Sequence, residues 1–66
     1  MKMRDFLFEA RKKKGMTQQE VAKAAKISHT AYCNIENGKR DPSVRTAKKI
    51  AKVLGFDWTM FFNESK

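Results

Sequence analysis

One cysteine and one histidine are all that this 66-residue chain holds of the residues that cross-link or ligate soft metals. The single Cys33 excludes an internal disulfide, and one Cys with one His falls short of any zinc set. Both shortages fit a reducing cytoplasm. No run approaches the ~20 apolar residues that span a bilayer. Asp5 and Glu9 interrupt the opening stretch where a signal peptide needs an apolar core. There is no glycine-rich phosphate loop, internal repeat, linker or low-complexity tail. The carboxylates are accounted for by capping, ion pairing or exposure, and the chain is too short to enclose a pocket. An enzyme, a cofactor and a metal site are therefore not expected. Acidic residues are scarce too: seven Asp and Glu stand against fifteen Lys and Arg, a net charge of +8. Such an excess favours a polyanionic partner, of which nucleic acid is the commonest, although a merely soluble basic surface gives the same number. Beginning at Met1 with one domain's worth of residues, the chain is expected to be a whole protein with a thin core that a dimer would help to stabilise.

What is present centres on MTQQEVAKAAKISHTAYCNIENG, Met16 to Gly38. Thr17 with Glu20 three residues on is a capping box, which predicts a helix start. Val21, Ala22 and Ala25 follow at helical spacing. The pattern breaks at Lys26-Ile27, Ser28 is a good N-cap for a second helix, and Gly38 suits its left-handed end. Only a three- or four-residue turn fits between the two, so the second helix is expected to cross the first steeply and project outward. Its outward residues are Ser28, His29, Thr30, Cys33 and Asn34. They are small or polar and carry donors and acceptors, which suits base-pair edges in a DNA major groove.

The rest of the chain reads as three more helices. Met3, Phe6, Leu7 and Ala10 form one apolar stripe, with Lys12, Lys13 and Lys14 at the dipole's negative end and Gly15 as the stop. Phe8 falls off that stripe, either against the C-terminal segment or exposed. Met16 is expected to plug the core at the first corner. Pro42 pushes Asp41 out of the helical region, so residues 39–43 are a basic loop. Ser43 caps a helix that buries Ala47, Ile50, Ala51 and Leu54 and turns Arg45, Lys48, Lys49 and Lys52 toward solvent. Gly55 ends it, and Asp57 caps a short last helix. The tail FDWTMFF holds four of the seven aromatics, too many for a small monomer to cover. Trp58, Phe61 and Phe62 are expected both to close the core and to form a two-fold dimer interface. The expected helices span about 3–13, 17–25, 28–37, 43–54 and 57–62 of a single domain, 1–66.

TQQEVAKAAKIS, then IENGKRDPS, then AKKIAKVLG resembles the Cro and repressor type of bacterial and phage helix-turn-helix regulators, the xenobiotic-response-element family. The likeness covers about residues 4–62 and rests on Thr17-Gln18, Glu20, Ala22, Ile35-Glu36-Asn37-Gly38 and Pro42-Ser43 at the family's spacing. GFDWTMFF is similar to short regulators of Gram-positive phages and mobile elements. The resemblance implies an all-α, five-helix, phage-repressor-like DNA-binding domain, with the helix-turn-helix in helices two and three and the third in the major groove. It implies that Ser28, His29, Thr30 and Asn34 read bases, that Gln18, Asn37, Lys39 and Arg40 meet phosphate, and that Arg11 and Glu36 form an internal ion pair. It places Tyr32, usually an aliphatic there, in the core, where its hydroxyl needs a partner or a route to the surface. The chain departs from the family in having Lys26 where the turn often carries glycine, Cys33 in place of a small hydroxyl residue, and Ser43 where some relatives use a minor-groove arginine. A half-buried filler is the plainer account of Cys33, redox sensing the other.

The function expected is a sequence-specific transcriptional regulator of double-stranded DNA, a repressor that binds an inverted repeat as a homodimer in the cytoplasm, without membrane or small-molecule effector. The alternative is a protein-interaction or antitoxin-like module that uses the aromatic C-terminal face. RNA or single-strand binding fits less well, because the aromatics lie away from the basic face and offer no stacking platform.

Overall fold

The computed structural model describes residues 4–63, and five helices follow one another along them: α1 Asp5–Lys14, α2 Gln18–Ala25, α3 His29–Glu36, α4 Val44–Leu54 and α5 Met60–Asn63, with no strand among the described residues. Met3, the first residue expected on the α1 stripe, lies outside them.

Local chemistry sets most of the ends. At α2 the Glu20 amide donates to Thr17 Oγ1 at 3.1 Å and the Thr17 amide to Glu20 Oε1 at 2.8 Å, so the capping box is complete. Ser28 Oγ accepts from the Ala31 amide at 3.0 Å and Ser43 Oγ from Thr46 at 3.2 Å, which starts α3 and α4. The first three helices end in one motif. Gly15, Lys26 and Gly38 take positive φ, their amides return to the carbonyls of Lys12, Lys23 and Ile35, and the next amides reach Arg11, Ala22 and Asn34.

Lys26 is the only non-glycine residue with positive φ, 62°, among the described residues. A side chain in this region crowds the following carbonyl and costs roughly 1–2 kcal/mol. Replacing Lys26 with Gly is expected to raise the unfolding free energy by about 1 kcal/mol, the relief being trimmed by glycine's freer unfolded chain. Urea unfolding of the two proteins measures it, and equal midpoints would show that the turn carries no such strain.

The core joins Leu7 of α1, Val21, Ala22 and Ala25 of α2, Tyr32 and Ile35 of α3, Ala47, Ile50 and Leu54 of α4, and Phe61 of α5. The α2 helix packs on both α3 and α4, and α1 makes a smaller contact with each of them. Met16 packs half-buried against this core, as expected of a corner plug. Phe8 lies under its own helix's cations, 5.4 Å from the Arg11 guanidinium and 5.8 Å from the Lys12 ammonium. Arg45, Lys48, Lys49 and Lys52 are all exposed on α4.

The last helix begins three residues later than the sequence reading places it. Asp57 does cap, with Oδ1 accepting from the Thr59 amide at 3.0 Å and the Thr59 hydroxyl at 2.8 Å. The Thr59 amide bond, then its hydroxyl, holds the Asp57 carboxyl below its usual range. The amides of Met60, Phe61 and Phe62 each return to the carbonyl three residues back, so a tight turn precedes α5. No described helix is long and apolar enough to cross a membrane.

Candidate nucleic-acid interface

Burial divides α3 cleanly. Tyr32, Ile35 and Glu36 face inward, at 0%, 5% and 1% exposure, and this fixes the rotation of the helix. Ser28, His29, Thr30 and Asn37 are left exposed, with Cys33 and Asn34 half-buried. Side chains three and four apart are neighbours on a helix, so His29 and Cys33 form one row, and Thr30, Asn34 and Asn37 another. Of the four residues expected to read bases, Thr30 and Asn34 share a row, His29 lies on the neighbouring one and Ser28 stands at the N-cap. Ser28 spends an oxygen lone pair on its cap but keeps its O–H to donate.

Two backbone features flank this face. At one side is the start of α2, where the capping box satisfies Thr17 and Glu20. The amides of Gln18 and Gln19 have no partner among the described residues. Free amides at a helix N-terminus attract anions. A shallow depression lined by Arg11, Lys12, Gly15, Met16, Thr17 and Gln18 opens there. At the other side the chain leaves α3 through Lys39 and Arg40, both exposed. Their amides are spent on the Asn34 carbonyl, at 2.9 and 3.2 Å. Any phosphate contact from Lys39 and Arg40 themselves therefore comes from their side chains. Asn37 is in the same position, because its amide bonds the Cys33 carbonyl.

The ion pair expected between Arg11 and Glu36 is present and two-pronged: Arg11 Nε donates to Oε1 at 2.9 Å and Nη2 to Oε2 at 3.0 Å. Arg11 Nη1 also holds the Met16 carbonyl at 3.0 Å. Desolvation works hardest on Glu36 and pushes its pKa up. The hydrogen bonds and charge of Arg11, with the bond from Gln18, outweigh it, and the carboxyl ends below its ordinary value. Arg11 is raised in turn, first by its bonds to Glu36. Tyr32 is fully buried beside the pair, and burial, then Glu36, drives its phenol well above the ordinary range. Its hydroxyl is buried and falls short of hydrogen-bond geometry with either partner, so it finds neither the partner nor the route to the surface expected of it.

Gln18 differs from expectation in a useful way. Its side chain turns inward, with Nε2 donating to Glu36 Oε2 at 3.3 Å and Oε1 accepting from Cys33 Sγ at 3.2 Å. The side chain thus links α2 to α3, and the outward-facing donor at this position is the backbone amide. Cys33 fills a half-buried place and has that one polar partner.

The three tail aromatics take different places. Phe61 is 3% exposed and packs edge-on against Phe6 and near Phe56, with centroids 5.3 and 5.6 Å away. It belongs to the monomer's core, where it fills the space between Phe6 of α1 and Phe56 after α4, and Trp58 packs half-buried against that core. Phe62 is 44% exposed and Met60 39%, with half-buried Trp58 stacked edge-on to Phe62 at 6.0 Å and capped by the Lys48 ammonium at 5.2 Å.

Arg4, which the sequence reading passed over, is buried at 6% and binds the Ile35 carbonyl through Nε at 2.8 Å. No local pattern marks this buried arginine, since Ile35, Arg40 and Asp41, which its side chain binds, lie more than thirty residues away.

A short helix pair with a tight turn, whose second member shows a polar face between an open helix end and a basic loop, defines the helix-turn-helix class. Comparison with known proteins gives the family. The helix-turn-helix family model matches residues 7–61, and the chain belongs to that family, in its Cro and C1 type. An uncharacterized HTH-type transcriptional regulator of Bacillus subtilis, YqaF, is 56% identical over 62 residues, covering 94% of this chain and 82% of that protein. The ImmF control region 10 kDa protein of Bacillus phage phi105 is 41% identical over 49 residues, 74% of this chain and 54% of that one. The Escherichia coli regulator PuuR is 34% identical over 58 residues, but the chain spans only 31% of its length. In fold, the chain is similar to the N-terminal DNA-binding domain of SinR from Bacillus subtilis, with a TM-score of 0.81, 24% identity, and 92% and 90% of the two chains covered. The family is one of transcriptional regulators and not a class of enzyme.

Proposed function

We propose that the chain is a sequence-specific regulator of double-stranded DNA, a repressor that acts as a homodimer. The observation that carries the reading is the polar α3 face of His29, Thr30 and half-buried Asn34, with Ser28 at its N-cap, set between the open α2 N-terminus and Lys39-Arg40. The names of the relatives, regulators of bacteria and a phage control protein, support it. In this reading α3 enters the major groove and its small polar side chains select bases. The Gln18 amide, Asn37, Lys39 and Arg40 meet phosphate and set register. Trp58, Phe62 and Met60 form the contact between protomers, with Phe61 supporting them from the core. Two copies then place their third helices about 34–36 Å apart on an inverted repeat.

Selection from a random duplex library tests it. An enriched inverted repeat, bound ~10³-fold or more above a scrambled duplex, is the expected result. No enrichment, with binding that vanishes as salt rises, would return the net charge to generic attraction and turn attention to Trp58, Met60 and Phe62 as a site for a protein partner. Replacing Arg40 with Ala is expected to weaken all duplexes alike and to flatten the salt slope by about 0.9, one phosphate's worth. An unchanged slope would remove Arg40 from the contact set.

A further inference from the structure

The loop that carries Lys39 and Arg40 has no regular structure between α3 and α4. Something must hold its two cations in place for them to count as phosphate contacts, because ordering long side chains at binding costs affinity. Two anchors are internal, the Lys39 and Arg40 amides on the Asn34 carbonyl. The others converge on Arg4. Its backbone amide donates to the Glu36 carbonyl at 2.8 Å and its Nε to the Ile35 carbonyl at 2.8 Å, two carbonyls of the last turn of α3. Its Nη2 donates to the Arg40 carbonyl at 3.1 Å and pairs with the Asp41 carboxylate. The guanidinium rests over the Phe61 ring, 5.6 Å from its centroid. One rigid planar fork thus ties the end of α3, both later residues of the loop and the core aromatic into one unit.

We propose that Arg4 is a positioning residue for phosphate contact: it holds the Lys39–Asp41 loop ready beside α3 without touching DNA. Its burial keeps it from the backbone of a duplex, so it acts only through the loop. The proposal rests on the DNA-binding reading above. It makes Asp41, whose side chain is 85% exposed and stands beside two cations, a useful carboxylate and not a repulsive one.

The sign of the Asp41 effect separates the two accounts. Asp41→Ala removes a negative charge from a phosphate-facing loop, and charge alone would tighten binding. If the Arg4 clamp positions the loop, the full-length Asp41→Ala protein instead binds a mixed-sequence duplex more weakly. Loss of one contact at about 0.15 M salt is worth about fivefold, with a slope lower by about 0.9. Its thermal unfolding should stay near wild type, since one partner of the pair is exposed. Arg4→Met, measured at a temperature where circular dichroism shows it folded, should lose both cation contacts, about thirtyfold and nearly two units of slope by the same relation. Arg4→Lys keeps the charge without the fork and should stay near Arg4→Met. A core control of lowered stability, Ile50→Val, should keep wild-type slope. Tighter binding by Asp41→Ala with an unchanged slope would overturn the proposal and leave Arg4 a staple of the fold. A wild-type chain that binds no duplex at any salt would overturn the DNA-binding reading itself, and the role of Arg4 with it.

Discussion

An Arg11→Met protein is expected to be about 3–5 kcal/mol less stable than wild type, because a buried carboxylate is left without its cation. Glu36 is 1% exposed, and both its oxygens receive Arg11 donors. After the substitution only Gln18, at 3.3 Å, still donates to it. A domain of this length has roughly 3–10 kcal/mol to lose, at ~0.05–0.15 kcal/mol per residue. The variant should therefore be largely unfolded near the top of the wild-type plateau in a urea titration. Adding Glu36→Gln removes the stranded charge and should restore much of the loss, whereas Glu36→Gln alone leaves Arg11 at the surface side, 12% exposed, with the Met16 carbonyl still held. If Arg11→Met unfolds at the wild-type midpoint, the pair is incidental to the fold.

The pair also has a pH signature. Glu36 has a lower pKa folded than its ordinary 4.5. The unfolded chain therefore binds more protons in the window below about 4.5, and stability rises with pH there. The contribution is fully present above about 4.5 and is lost as pH falls through the folded value. In Arg11→Met the dominant desolvation is no longer opposed by the guanidinium, so the Glu36 pKa should move above 4.5. Acidification from neutral pH should then narrow the gap between variant and wild type. A gap constant from pH 7 to 4 would show that Glu36 does not feel Arg11.

The second large effect lies at the α3 face. Asn34→Ala is expected to cost about 1–3 kcal/mol on the selected site, because an amide side chain can pair with adenine through two hydrogen bonds. The substitution is clean in one respect. What Asn34 gives the loop is its carbonyl, which takes the Lys39 and Arg40 amides, and alanine keeps that carbonyl. A loss of affinity therefore reports the side chain and not the loop. Titration against duplexes changed at one base pair at a time should show discrimination falling at a single position of each half-site, with the salt slope unchanged. His29→Ala, exposed in the first turn of α3, should do the same at a different position. A uniform loss across all sequences would move Asn34 out of the base-reading set.

The sequence alone determined the helices and their stops. Thr17 with Glu20, Ser28 and Ser43 cap, and Gly15, Gly38 and Gly55 terminate, through bonds that span six residues or fewer. The apolar spacing that follows each cap was equally legible, and with it which face of α3 turns inward and which is left to solvent. The conformation of the turn lysine was not legible: Lys26 stood out only as a departure from glycine, and the structure shows that it takes the left-handed conformation all the same.

Only the tertiary structure decided where neighbouring aromatics go and which polar side chains are spent inside. Phe61 and Phe62 are adjacent and chemically identical, yet one fills the space between Phe6 and Phe56 and the other is left 44% exposed. Gln18 turns toward Glu36 and Cys33 when α2 and α3 close on each other. Arg4 is buried because it meets, across more than thirty residues of chain, the Ile35 and Glu36 carbonyls at the end of α3 and the Arg40 carbonyl beyond it. These outcomes depend on distances between elements, set when the core packs, and a pattern read within one helix carries no information about them.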